Sequence, residues 1–114
     1  MARAQPTEFV MHMLEALEPL GPITVTRLFG GWSMRLDGVQ FGVVLGDTFY
    51  LCTDEAMRAD LAAEGSVPFS YTRRKSGREV VIHRFYSLPE ACLDDPDLAL
   101  DWAQRAVDAN RHRV

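Results

Sequence analysis

Trp32-Ser33-Met34-Arg35-Leu36-Asp37-Gly38-Val39-Gln40-Phe41-Gly42-Val43-Val44-Leu45 is the stretch that decides the fold. Trp32, Met34 and Leu36 alternate with Ser33 and Arg35, which puts the large apolar groups on one face of a strand. Asp37-Gly38 is a two-residue hairpin signal, because both residue types tolerate the left-handed backbone that such a turn requires. Val39, Phe41, Val43 and Leu45 resume the alternation on the return strand. An antiparallel pair with one apolar face needs a layer to cover that face. Working outward, Ile23 to Phe29 is rich in β-branched residues, and Gly30-Gly31 permits a bulge or bend. Gly46-Asp47 is a further turn, and Thr48 to Thr53 extends the meander.

Helical patterns flank the meander. Thr7 is a good N-cap, and Val10, Met13, Leu14 and Leu17 follow at helical spacing until Pro19 and Gly21-Pro22 end the run. Asp54 caps a short helix to about Glu64, with Gly65 suited to its stop. Pro68 to Tyr71 and Val80 to Tyr86 read as strands joined by the polar, basic connection Thr72 to Arg78. Ser87-x-x-Glu90 has the form of a capping box. Asp95-Pro96 opens a last helix to about Asn110, with Ala99, Trp102, Ala103 and Ala106 along one stripe. The order is helix, three or more strands, helix, two strands, helix: an α+β chain in which helices cover one face of an antiparallel sheet. Residues 1–114 form one domain with an ordered core over about 7–110, and residues 1–6 read as a frayed leader.

Composition excludes several classes. The chain has 114 residues, is 47% hydrophobic and 25% charged, and carries a formal charge of −4. That is an ordinary globular domain, neither disordered nor generally basic. No apolar run approaches the ~20 residues needed to span a bilayer. No secretory h-region opens the chain, so a cytoplasmic location is the default. The charge is unevenly spread: Arg73, Arg74, Lys75, Arg78 and Arg84 lie close together, and Glu90, Asp94, Asp95, Asp97 and Asp101 follow them.

No catalytic, cofactor or metal constellation emerges. Cys52 and Cys92 form no C-x-x-C pair and read as buried apolar groups. His12, His83 and His112 have no ligand spacing with the carboxylates. Asp94-Asp95-Pro96-Asp97 is explained by helix capping. Gly30-Gly31 fits neither a dinucleotide fingerprint nor a P-loop, and reads first as a strand bend. Trp32, Trp102, Phe29, Phe41, Phe49, Phe85 and Tyr86 read as core.

Arg27-Leu28-Phe29-Gly30-Gly31-Trp32 followed by Leu36-Asp37-Gly38 resembles the opening signature of the TfoX N-terminal domain family, the TfoX/Sxy competence regulators. Phe41, Asp47, Tyr50-Leu51, Pro68-Phe69, Tyr71, Tyr86, Leu88-Pro89-Glu90, Leu93-Asp94-Asp95-Pro96 and Trp102-Ala103 follow in the family's order, over roughly residues 8 to 108. The family often has Met where Leu28 stands and Gly where Ser33 stands. The resemblance implies a two-layer α/β sandwich of the secretion-chaperone-like class and a role tied to regulation of DNA uptake or transcription. It supplies no catalytic residues. Full-length regulators of the family carry a second, C-terminal domain, so the chain is expected to correspond to the N-terminal domain alone.

Three functional readings follow. The first is a non-catalytic regulatory or protein-interaction domain, with Phe29, Gly30, Gly31 and Trp32 as the candidate interaction surface and an unidentified protein as partner. The second is a nucleic-acid accessory domain that neutralises phosphates with Arg73, Arg74, Lys75 and Arg78. The third is a small-ligand binder or unrecognised enzyme with a pocket beside Gly30-Gly31 and Trp32. An open sheet also leaves an edge strand that a second copy could pair with.

Overall fold

The computed structural model describes residues 7–113; the leader expected at residues 1–6 lies outside them. Helix α1 (Glu8–Ala16) starts where Thr7 Oγ1 accepts from the Val10 N–H at 3.3 Å. A 3-10 turn (Glu18–Leu20) leads into four strands: β1 (Ile23–Leu28), β2 (Gly31–Leu36), β3 (Val39–Leu45) and β4 (Thr48–Cys52). Helix α2 (Glu55–Ala63) is capped by Asp54, whose side chain accepts from the Met57 N–H at 2.8 Å. Strands β5 (Pro68–Thr72) and β6 (Glu79–Ser87) form a hairpin, and a 3-10 turn (Glu90–Leu93) precedes helix α3 (Pro96–Asn110). The six strands form one sheet in the order β1-β2-β3-β4-β6-β5, with every neighbouring pair antiparallel. This is the expected α+β architecture, with four strands before α2. Among the described residues no helix is long and apolar enough to cross a membrane.

The helices lie on one face of the sheet. Val10, Met13 and Leu17 from α1 and its end, Met57 and Leu61 from α2, and Ala99, Ala103, Ala106 and Val107 from α3 share one buried cluster with Trp32, Met34, Leu36, Phe41, Val44, Phe49 and Leu51 of the sheet. The small residues of α3 let the helix backbone come close to the sheet, and Asp95 caps its start by accepting from the Leu98 N–H. Asn110 fixes its other end. The buried Nδ2 donates to the Cys52 carbonyl at 3.0 Å and to the Ala106 carbonyl at 2.7 Å, and Oδ1 accepts from Arg84 at 3.4 Å.

Two local expectations are corrected. Val43 and Leu45 do not share a face with Val39 and Phe41. The β2–β3 register jumps from Arg35↔Gln40 to Met34↔Gly42, so Phe41 is an extra residue in a bulge. Beyond it Gly42 and Val44 face the helices, while Val43 and Leu45 turn to the opposite face. Gly42 is needed there, because a Cβ would sit 2.1 Å from the Phe49 ring. Nor does Ser87 close a capping box: Pro89 precedes the 3-10 turn without a side-chain cap, and Ser87 Oγ accepts from the Val67 N–H at 3.0 Å.

Candidate functional site

The face of the sheet turned away from the helices carries an apolar strip beside the polar residues Thr24, Thr26, Ser33, Arg35 and Gln40. Register places Leu28 and Gly31, then Val43 and Leu45, then Tyr50, then Phe85, then Phe69 and Tyr71 across that face from β1 to β5. The sheet coils so that its two ends approach across this face. Leu28 and Phe29 from the β1–β2 hairpin and Phe69, Tyr71, Ile82 and Phe85 from the β5–β6 hairpin wall one groove, floored by Leu45, of about 560 Å³. The volume lies in the range of ordinary binding clefts, and the lining is entirely apolar or aromatic. Phe69 anchors one wall, edge-on to Tyr50 at 5.3 Å between centroids and stacked on Tyr71 at 6.1 Å.

At the rim stands Phe29. It is 92% exposed, and its φ is +47°. Gly30 follows at +81°, and Leu28 pairs with Gly31, so Phe29-Gly30 is a two-residue turn of the I′ kind. The same turn recurs at Asp37-Gly38, with φ of +51° and +81°. There Asp is a residue that tolerates the left-handed region; a bulky aromatic is not. Phe29 therefore occupies a strained backbone position without burying its ring. Next to it, Gly31 is fixed by packing: a Cβ would sit 2.2 Å from the Val44 carbonyl oxygen and 2.7 Å from Leu45 Cδ2.

The four residues Phe29, Gly30, Gly31 and Trp32 are thus divided between faces. Phe29 and Gly30 form the exposed tip and Gly31 underlies it. Trp32 is 7% exposed, sits in the helix-side core, and carries the Arg27 guanidinium 4.8 Å above its ring. Arg73, Arg74, Lys75 and Arg78 are exposed in the β5–β6 connection. That loop is closed by hydrogen bonds from the Arg73 N–H to the Arg78 carbonyl at 2.8 Å and from the Gly77 N–H to the Arg73 carbonyl at 2.9 Å.

Of the aromatics read as core, Phe41 and Phe49 are buried, Trp102 and Phe85 are half-buried, and Phe29 is exposed. Sequence reasoning named Leu45, Phe69, Tyr71 and Ile82 only as strand or family-signature residues, not as site residues. A signal for them exists in β6, where Val80-Val81-Ile82 and Phe85-Tyr86 break the apolar–polar alternation and imply apolar contact on both faces.

Cys92 is a poor nucleophile in the fold. Burial first, and then the carboxylates of Asp95 and Glu64, push the Cys92 thiol up from its ordinary 9.0 to about 11. It remains protonated at neutral pH, and a protonated thiol is a poor nucleophile.

Helices on one side of a six-stranded antiparallel sheet, with an apolar groove on the other, define an α+β domain. The chain belongs to the TfoX N-terminal domain family, whose model matches residues 15–110. No curated protein matches it.

Proposed function

We propose that this domain is a non-catalytic regulatory module that works by binding another protein through the helix-free face of its sheet. Phe29 carries the reading. A large apolar side chain held in solvent at a strained backbone position costs folding free energy, about 1–2 kcal/mol for a left-handed non-glycine residue. The matching Asp37-Gly38 turn achieves the same chain reversal without a bulky residue. A cost borne at the rim of an apolar groove is recovered when the ring is buried against a partner, as aromatic anchors are at interface centres. Kinship with the TfoX/Sxy competence regulators supports control of DNA uptake or transcription as the process served.

The test is affinity capture from the native host lysate with the wild-type chain and with Phe29→Asn, followed by mass spectrometry. A protein captured by wild type and lost with F29N is the expected result. Identical captures by the two chains would refute the assignment of the site.

A further inference from the structure

The groove does not end at Tyr71. Tyr71 pairs with Val80 across the β5–β6 hairpin, and Val80 also lines a second hollow, of about 460 Å³, with Arg73, Ser76, Arg78 and Glu79. One rung of the ladder therefore joins the apolar groove to a cationic hollow. Arg74 and Lys75 complete the tip of the same loop.

The two sides of the sheet differ in charge. Asp37 and Asp47 sit in hairpin turns and Glu79 opens β6; every other acidic residue lies in a helix, at a helix cap or in a 3-10 turn beside one. Arg35 lies on the groove face, donating from Nη1 to Thr26 Oγ1 at 3.1 Å. Against these carboxylates the helices and their ends carry fewer cations, Arg58, Arg105 and Arg111, so the helical side is net acidic, while Arg73, Arg74, Lys75 and Arg78 give the groove a basic end. Glu79 is the one carboxylate lining that end.

We infer that the groove takes an acidic peptide segment of a partner protein: apolar side chains seated between Phe29, Leu45, Phe69 and Phe85, and carboxylates running out over Arg73, Arg74, Lys75 and Arg78. This rests on the protein-binding reading above and adds the chemistry of the partner. Apolar burial supplies the affinity, and charge complementarity selects the sequence and its direction. A bare polyanion lacks the apolar anchors. The loop itself holds no aromatic platform on which bases could stack.

The experiment is selection from a random-peptide display library on the full chain, with fluorescence anisotropy of the enriched peptides against wild type, Phe29→Asn, Phe69→Ala and the combined R73A/R74A/K75A/R78A variant. Circular dichroism checks that each variant is folded. The expected peptides combine two or more large apolar residues with a run of Asp or Glu. They bind at least tenfold more weakly to F29N and to the combined cation variant, and weaken with added salt. Enriched peptides that need Phe29 but carry no acidic bias, or that bind the cation variant as well as wild type, would overturn the acidic-partner inference and leave the protein-binding site standing. Enrichment insensitive to both F29N and F69A would overturn the site as well. A labelled single-stranded oligonucleotide that binds in a cation-dependent, Phe29-independent manner would reassign the basic end to nucleic acid. Concentration-dependent self-association abolished by F29N, in sedimentation without peptide, would reassign the groove to a second copy.

Discussion

Replacing Phe29 by Asn should make the isolated domain more stable while removing its binding. Phe29 is 92% exposed at φ +47°, so the substitution gives up almost no buried area. Left-handed backbone costs an ordinary residue about 1–2 kcal/mol, and Asn tolerates it far better because its short polar side chain bonds locally. With near-zero loss of burial, the strain relief sets the sign, and about 1 kcal/mol of added stability is expected. For a chain of this length that corresponds to a rise in Tm of about 4 °C. Asp37 supplies the reciprocal change: it occupies the same turn position at φ +51°, so Asp37→Phe should cost about 1 kcal/mol. Urea titration followed by circular dichroism measures both. A loss of 1 kcal/mol or more in Phe29→Asn would mean that the ring packs into its own groove, and the account of an exposed anchor would fall.

Gly31→Ala should destabilise by about 3 kcal/mol, since the added methyl meets the Val44 carbonyl oxygen at 2.2 Å and backbone cannot step aside cheaply; an unchanged urea midpoint would contradict the packing. Asn110→Ala should cost about 2 kcal/mol by leaving the Cys52 carbonyl without its side-chain donor, with hydrogen exchange speeding first at the C-terminal end of α3. Burial holds the Cys92 thiol neutral in the fold, so its contribution to stability is complete below pH 9.0, where the unfolded thiol begins to ionise, and is lost as pH rises through about 11. Cys92→Ala should flatten that alkaline loss in pH-dependent denaturation, and a thiol probe should label native Cys92 slowly at pH 8.

Much of the architecture was legible in single side chains. Thr7, Asp54 and Asp95 cap the helices as their sequence positions imply, because an N-cap is a contact over three residues. Asp37-Gly38 forms the expected hairpin for the same reason of locality. The face of Val43 was misread because one inserted residue reverses a period of two, and nothing near Phe41-Gly42 marks the bulge except a glycine whose partner, Phe49, lies on another strand. At the site, a bend was expected at Gly30-Gly31, but the chain turns one residue earlier, at Phe29-Gly30, and Gly31 already pairs with Leu28; nor was the orientation of the neighbours visible, since Trp32 belongs to the helix-side core and Phe29 to the solvent.

The sequence by itself determined the α+β class, the element order, the helix starts and the kinship with the TfoX N-terminal domain family, because each depends on local periodicity, capping chemistry or a motif in order. Only the tertiary structure decided that two hairpins far apart in the chain wall one groove, that its apolar lining continues into the basic loop, and that the acidic residues gather on the other side. Those relations follow from strand order and from the coiling of the sheet, which brings Leu28 and Phe29 to the same cleft as Phe69 and Tyr71. Strand order is set by which faces bury together, a property of the whole chain and of no single segment.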